Sequence, residues 1–278
     1  MPLVFVPTPL GNLRDITIRA LDTLRDCDLL VAEDTRVAAR LLAGLALPRK
    51  PMRSYREQNA TLVTAAILDA ARTGLVAVTT DAGTPAISDP GSQLVAAARA
   101  AGIAIDVLPG PCAAIGAIAL SGFDSARFSF EGFAPRSTSA RRLAFRRALD
   151  SGVPSIWYEA PHRFTAALRD LALESPGARI FFLREYTKMH EEQRLQTAEE
   201  LLASLPDTLK GEIAFVIEPP PKAPKAAATT DELDSAILYH FSQGLSAAQT
   251  AKRLSVQGMG ERRAIYARAH ILRERESP

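Results

Sequence analysis

Short apolar runs alternate with stretches of helical periodicity in the first part of the chain. Predicted strands lie at 3–6, 29–32, 75–79 and 103–108, and predicted helices at 35–45, 60–72 and 91–101. Asp15 is placed to cap a further helix, ahead of apolar residues at helical spacing. Strands that alternate with helices in this way favour a mostly parallel α/β sheet.

A second cycle of strands and helices begins near Phe128. Its predicted strands lie at 128–133, 155–158, 180–183 and 213–217, and its predicted helices at 139–149, 162–173 and 198–205. The join lies near Gly122. We therefore predict a first α/β domain over 1–121 and a second over 122–218.

The residues that follow differ in composition. A segment rich in Pro, Lys and Ala at 219–229 predicts an extended linker. After it, Thr230 and Ser246 can cap two helices, and a third is predicted over 261–274. The resulting module, 230–278, resembles a helix-turn-helix bundle and is locally basic, which fits either a nucleic-acid partner or a simple packing role.

Composition narrows the class of protein. The chain has 278 residues, 47% hydrophobic, and a net charge of +2, which neither demands nor forbids a nucleic-acid partner. Apolar runs are too short for a membrane span, so we expect no membrane partner and a cytoplasmic protein. The two cysteines, Cys27 and Cys112, do not suggest a disulfide framework, and the four histidines show no metal-binding spacing. We expect no protein-bound metal.

Four loops rich in Gly, Pro and polar residues interrupt the pattern at the ends of predicted strands. We call them the first loop (7–15), the second loop (32–36), the third loop (81–91) and the fourth loop (108–114). In open parallel sheets, ligands bind at the carboxyl ends of strands, so chemistry is expected here. The first loop alone would equally fit a plain turn. No loop carries a Gly-rich phosphate-binding fingerprint, which disfavours a nucleotide-phosphate cradle.

Eight strings along about residues 1–220 resemble one family. They are TPLGNLRDIT, AEDTR, DAGTPAISDPG, PGPCAA, FEGFAPR, YEAPHR, REYTKMHEE and GEIAFVIEP. Their set resembles the tetrapyrrole-methylase-like methyltransferases and, within them, the ribosomal RNA small-subunit methyltransferase I group. The corrin and diphthine methylases share the overall fold but differ at AEDTR and YEAPHR.

The resemblance implies two α/β domains with a cofactor cleft between them, usually in a homodimer. It implies S-adenosylmethionine as cofactor, and 2′-O-methylation of a cytidine in the decoding region of 16S rRNA of the small ribosomal subunit. Carried over by position, the cofactor contacts are Pro7, Leu10, Asp81, Gly83, Ile87, Ser88, Cys112, Ala113, Tyr158, Ile213 and Ala214. Cys112 replaces the small hydroxyl residue that is more usual there, which puts a side-chain hydrogen bond at that position in doubt.

A ribose hydroxyl attacks a methyl group only when its proton is accepted or its oxyanion stabilised. The candidates for that role are Glu33, Asp34, Asp89, His162 and Lys188, although His162 can instead simply orient its helix. We predict Glu33 or Asp34 as the base and Arg36 as a substrate clamp. Further predicted substrate contacts are Arg163, Arg184 and Lys188.

Two other functions fit the same pattern. A corrin-type tetrapyrrole C-methyltransferase would use the same cofactor site. A non-catalytic RNA-binding assembly factor would keep the cleft and leave RNA unmodified, but it would not need the charged AEDTR segment.

Overall fold

The computed structural model describes residues 2–220 and 229–275, with side chains as far as Arg273. The chain divides into two units, Met1–Pro220 and Pro221–Pro278. Most of the predicted linker, 221–228, lies outside the described residues. The first unit contains two five-stranded sheets, and the second contains three helices.

The first sheet is fully parallel, with the order β3-β2-β4-β1-β5. Its strands are β1 (Leu3–Phe5), β2 (Leu29–Ala32), β3 (Met52–Ser54), β4 (Val76–Thr79) and β5 (Ile105–Val107). Its helices are α1 (Ile18–Asp26), α2 (Thr35–Gly44), α3 (Ala60–Thr73) and α4 (Ser92–Ala100). Successive side chains of β1 point to opposite faces: Leu3 and Phe5 enter one apolar core, and Val4 enters the other. Burial on both faces explains why the inner strands β1 and β2 are apolar throughout.

Two details of the first half differ from the sequence prediction. Asp15 does not cap α1, because it belongs to a short 3-10 turn, and the Thr17 side chain accepts from the Ala20 N–H instead. Strand β3 was not predicted. It is a three-residue edge strand that is not fully buried, so it has no continuous apolar run to reveal it.

The second sheet is mixed, with the order β6-β7-β10-β8-β9, and only β6 and β7 are parallel. Its strands are β6 (Ser129–Phe133), β7 (Ser155–Glu159), β8 (Arg179–Arg184), β9 (Glu192–Thr197) and β10 (Ile213–Ile217). Its helices are α6 (Thr138–Ser151), α7 (Pro161–Glu174) and α8 (Ala198–Ser204). One face is covered by these helices through an aromatic core that includes Phe145, Trp157 and Phe215.

The other face of the second sheet is covered by α5 (Ala113–Ser121), which continues from the fourth loop. Ala117 and Ile118 of this helix share a buried core with Ile156 and Val216 of the sheet. Helix α5 is therefore attached to the first sheet by sequence and packed on the second.

The second unit contains α9 (Thr230–Ser242), α10 (Ala247–Val256) and α11 (Arg262–Arg275) around a small apolar core. Thr229, rather than Thr230, caps α9, and Ser246 caps α10 as predicted; both form capping boxes. No helix in the described residues has the length and apolar character needed to cross a membrane.

A buried ion pair ties α6 to α7. The Nε of Arg141 donates to Asp170 Oδ2 at 2.8 Å, and its Nη1 donates to the carbonyls of Pro135 and Arg136 at 3.2 Å. Arg141 and Asp170 are only 5% and 6% exposed. The pair therefore holds the loop that follows β6 as well as the two helices.

We expect Arg141→Met to lower the free energy of unfolding by about 3–5 kcal/mol, because Asp170 would keep an uncompensated buried charge. Urea denaturation measures the change. The matched control is Arg146→Met, which removes a 3.1 Å pair between Glu174 and an arginine whose side chain is 57% exposed; it should cost less than about 1 kcal/mol. Equal losses in the two variants would contradict this account.

Candidate functional site

The first and third loops form a short bridge at the carboxyl edge of the first sheet. The Thr8 N–H donates to Gly83 O at 2.9 Å, and the Gly83 N–H donates back to Thr8 O at 3.0 Å. The buried Thr8 hydroxyl also donates to Thr80 O at 3.2 Å. These bonds fix the two loops against each other.

The second and fourth loops join the same edge. The Asp34 N–H donates to Asp81 Oδ1 at 3.2 Å, and the Thr84 hydroxyl donates to Pro111 O at 2.9 Å. A Cβ added at Gly110 would lie 2.6 Å from Pro7 Cβ, so only glycine fits there. All four loops therefore meet, as the sequence predicts for strand ends.

The third loop holds strained backbone. Ala86 and Ser88 have φ values of +68° and +60°, in the left-handed region that residues with a Cβ seldom occupy. Such strain persists only where the surroundings fix the backbone, and it is typical of ligand sites.

The second sheet reaches this edge through Tyr158 on β7. Its hydroxyl accepts from the Ala114 N–H at 3.0 Å, at the start of α5. Cys112, the N-cap of α5, makes no capping bond with its own side chain, so the Tyr158 hydroxyl supplies one that a serine or threonine would make. Burial raises the pKa of Tyr158, which stays a neutral phenol.

A cavity of about 350 Å³ lies between the loops and the second sheet. Nine of the predicted cofactor contacts line it: Leu10, Gly83, Ile87, Ser88, Cys112, Ala113, Tyr158, Ile213 and Ala214. Pro7 and Asp81 do not line it: Pro7 lies against Gly110, and Asp81 accepts from the Asp34 N–H. The structure thus brings the predicted contacts from distant segments into one place.

The charged groups of this cavity are carboxylates. Asp89, Glu159 and Glu212 line it, and its described lining residues include no lysine, arginine or histidine. Burial raises the pKa of Asp89 to about 6, and burial also raises the pKa of Glu159. Glu159 Oε2 is buried and accepts no hydrogen bond, although Arg163 lies 3.0 Å away. Such a lining suits a cationic ligand and disfavours a phosphate.

The predicted catalytic residues lie outside the cavity wall. Asp34 caps α2 and is ion-paired with Arg36 and Arg56, and hydrogen bonds from Arg36 hold the pKa of this carboxyl far below its usual range. Glu33 points the other way and accepts from the Thr80 hydroxyl at 3.2 Å.

The predicted substrate contacts are held by internal partners. Arg163 donates to Ala134 O at 2.6 Å, and Arg184 is bonded to Glu192 at 2.8 Å. Lys188 bridges Glu185 and Glu212 at 2.9 Å each. None of the three lines the cavity.

Several lining residues were not singled out from the sequence as contacts. Phe133, Glu159, Tyr186 and Glu212 line the cavity, and Asp89 was considered only as a possible base. Glu159 belongs to the YEAPHR string and Glu212 to GEIAFVIEP, so these two family strings could have identified both residues as candidates.

Comparison with known proteins places the chain in a family. The sequence profile of the tetrapyrrole (corrin/porphyrin) methylases matches residues 2–202. A Xylella fastidiosa protein named ribosomal RNA small subunit methyltransferase I is 36% identical over 268 residues, 95% of this chain and 97% of that protein. The chain belongs to the ribosomal RNA small subunit methyltransferase I group of the tetrapyrrole methylases.

Other members and solved structures agree with this placement. The protein of the same name from Thermotoga maritima is 45% identical over 192 residues, 68% of this chain and 85% of its own length. Diphthine synthase has a TM-score of 0.62 at 14% identity, and the methyltransferase CobJ has 0.61 at 20%. Each structure covers 78% of this chain, and they match 89% and 94% of their own chains. At these identities they show the methylase fold alone.

The methyl donor of this family is S-adenosylmethionine, a sulfonium. The cavity fits it in size, since small-ligand pockets span roughly 300–1,000 Å³. It also fits in charge, since the ionisable side chains of its lining are three carboxylates, two phenols and a thiol, and none of them is cationic. Leu10, Ile87 and Ala214 offer apolar contact for the uncharged part of the donor. In the described part of the chain, no cluster of His, Cys, Asp and Glu is placed to hold a metal ion.

We expect Gly110→Ala to weaken S-adenosylmethionine binding at least tenfold, because the new methyl group would push the Pro7 loop out of position. Isothermal titration calorimetry measures the affinity, and circular dichroism checks the fold. Gly177→Ala is the control, since a Cβ there meets no atom within 4 Å. Equal affinities of the two variants would show that the first and fourth loops do not shape the donor site.

Proposed function

We propose that the protein transfers the methyl group of S-adenosylmethionine to the 2′-hydroxyl of a cytidine in the decoding region of small-subunit rRNA. The observation that carries the proposal is the match along 95% of the chain to a protein named ribosomal RNA small subunit methyltransferase I. The converging loops and the carboxylate-lined cavity support it, because they fit a cationic donor.

When bound, the donor supplies an electrophilic methyl carbon. The protein has to align the hydroxyl oxygen with that carbon, exclude water and take up the hydroxyl proton. The stiff third loop and the apolar walls serve alignment and water exclusion. Glu33, which follows β2, accepts from the hydroxyl of Thr80, which follows β4, and this pair is a candidate for the proton transfer.

We propose different tasks for the predicted catalytic residues. Glu33 takes part in the proton transfer from outside the cavity wall, because its carboxylate accepts from the hydroxyl of Thr80, the residue just before the third loop. Asp34 is a weak base in its ion pairs, which favours a role in holding Arg36 and Arg56. Those guanidinium groups suit RNA phosphates.

The predicted contacts Arg163, Arg184 and Lys188 fit a supporting role in RNA binding. Their ion pairs with acidic neighbours set the shape of the second domain near the cavity. In this proposal they orient the surface that the RNA approaches.

We propose the small ribosomal subunit as partner, which would place the enzyme in the cytoplasm.

We also propose a homodimer, because α5 exposes Ile115 and Leu120, and the edge strand β5 exposes Val107. Exposed apolar groups of this kind favour contact with a second copy. Light scattering tests it: twice the mass of one chain supports the dimer, and the mass of one chain contradicts it.

The three-helix module has the charge expected of an RNA-binding surface. Lys252 and Arg253 on α10 and Arg262 and Arg263 on α11 are exposed. By contrast, Arg268 is bonded to Asp234 at 2.6 Å, inside the module. We propose that the exposed cations contact rRNA phosphates.

The experiment that tests the reaction uses labelled S-adenosylmethionine and small subunits from cells that lack this protein. We expect one labelled ribose methyl group on a cytidine, located by mass spectrometry of the rRNA. Glu33→Gln should keep donor binding and lose most of the methylation. Label on a base, or on a tetrapyrrole and not on rRNA, would contradict the proposed function.

For the module, we expect Arg262→Gln with Arg263→Gln to reduce the salt dependence of subunit binding. The slope of log affinity against log salt should fall by about 1 for each lost phosphate contact. Arg99→Gln, an exposed cation on α4, is the control. An unchanged slope would make the module a packing element.

A further inference from the structure

Three polar side chains form a row that begins at the cavity wall. Asp89 lines the cavity, and its carboxyl is hydrogen-bonded to the Thr80 side chain. The Thr80 hydroxyl has one hydrogen, which it donates to Glu33 Oε2 at 3.2 Å and shares with the Asp89 carboxyl. Asp89 stands at the end of the third loop, whereas Glu33 follows β2 and has no place in the cavity wall.

We propose that Asp89 accepts the proton of the substrate hydroxyl, and that Thr80 and Glu33 position Asp89 and carry the proton away. This inference rests on the proposed function. The sequence alone predicts Glu33 or Asp34 of the second loop as the proton acceptor. The proposal gives that role to Asp89 instead, because of the three side chains in the row only Asp89 lines the cavity.

The backbone holds Asp89 in place. The preceding residue, Ser88, is in the left-handed region at φ +60°, which turns the loop just before the carboxylate. A Cβ added at Gly132 would lie 3.3 Å from Ser88 Oγ, so β6 of the second domain touches the loop here. A group fixed from both domains is suited to a reaction that depends on alignment.

The surroundings make Asp89 a stronger base than an exposed carboxylate. Burial raises its pKa to about 6, and the negative charges of Glu33, Asp81 and Glu212 act in the same direction, while the Thr80 hydrogen bond opposes them. Tyr158 faces it from β7 as a neutral phenol. At neutral pH Asp89 is thus largely ionised yet close to the pKa at which proton transfer is efficient.

The proposed methyl transfer conserves atoms and charge. Asp89 takes the hydroxyl proton while the oxygen bonds to the methyl carbon and the carbon–sulfur bond breaks, with the electron pair left on sulfur. The negative charge of the carboxylate and the positive charge of the sulfonium disappear together. Thr80 can then accept the proton from Asp89 and donate its own to Glu33, from which solvent removes it.

The first test needs no reaction. Carbon-13 NMR of the carboxyl groups in the protein alone should show Asp89 titrating at about pH 6. Glu33→Gln should lower that pKa, because a neighbouring negative charge is removed, and Thr80→Val should raise it, because the hydrogen bond that favours the charged form is lost. A pKa of Asp89 near the ordinary value of about 4, or one that neither variant moves, would overturn the proposal.

The second test separates binding from chemistry. In single-turnover methylation of small subunits, Asp89→Asn should lose at least about 100-fold in rate, with donor affinity within tenfold of wild type by calorimetry. The control is Asp69→Asn on α3, whose side chain is 81% exposed. The wild-type rate should fall below about pH 6, and Glu33→Gln should shift that midpoint to lower pH.

The outcomes are distinguishable. If wild type methylates the subunit and Asp89→Asn keeps its rate, the role of Asp89 is wrong and the proposed function stands. If wild type methylates no rRNA, the proposed function fails, and the NMR titration still decides whether the row of side chains exists.

Discussion

Helix α5 is the constraint on which the cavity depends. Its first residues belong to the fourth loop of the first sheet, and its buried side chains pack on the second sheet. The Tyr158 hydroxyl then closes the arrangement by accepting from the Ala114 N–H. Because one short helix continues directly from the fourth loop and packs on the second sheet, the strand ends of the first sheet face β7 and β10 across a fixed gap.

The chemistry of the gap follows from that arrangement. The loops contribute backbone and small side chains, held by the Thr8–Gly83 bridge, and the second sheet contributes Tyr158 and Glu159. The carboxyl groups of Asp89 and Glu159 are partly buried in this gap, and the burial raises their pKa values. Burial of the Asp89 carboxylate is unfavourable for the stability of the folded protein, and the same burial makes Asp89 a stronger base. Functional sites commonly lower stability in this way.

Sequence patterns predicted the parts of the fold that depend on local burial. The apolar runs at β2 and β10 gave their strands at the observed bounds, because these strands are buried on both faces. β3 and β9 were missed, because they are sheet-edge strands with polar, half-buried residues. At the site, motif position predicted nine residues that line the cavity. It could not distinguish Asp34, which is bound by its own neighbour Arg36, from Asp89, which lines the cavity. That distinction depends on which side chain faces the gap, and the gap is made by tertiary contacts.

The position of S-adenosylmethionine in a crystal structure of its complex tests the central claim most directly. The account predicts electron density for the donor in the cavity between the two sheets, in contact with Gly83, Ala113 and Ala214, with the methyl group turned toward Asp89. Density for the donor at another surface, or a saturated complex in which this cavity holds only water, would contradict it.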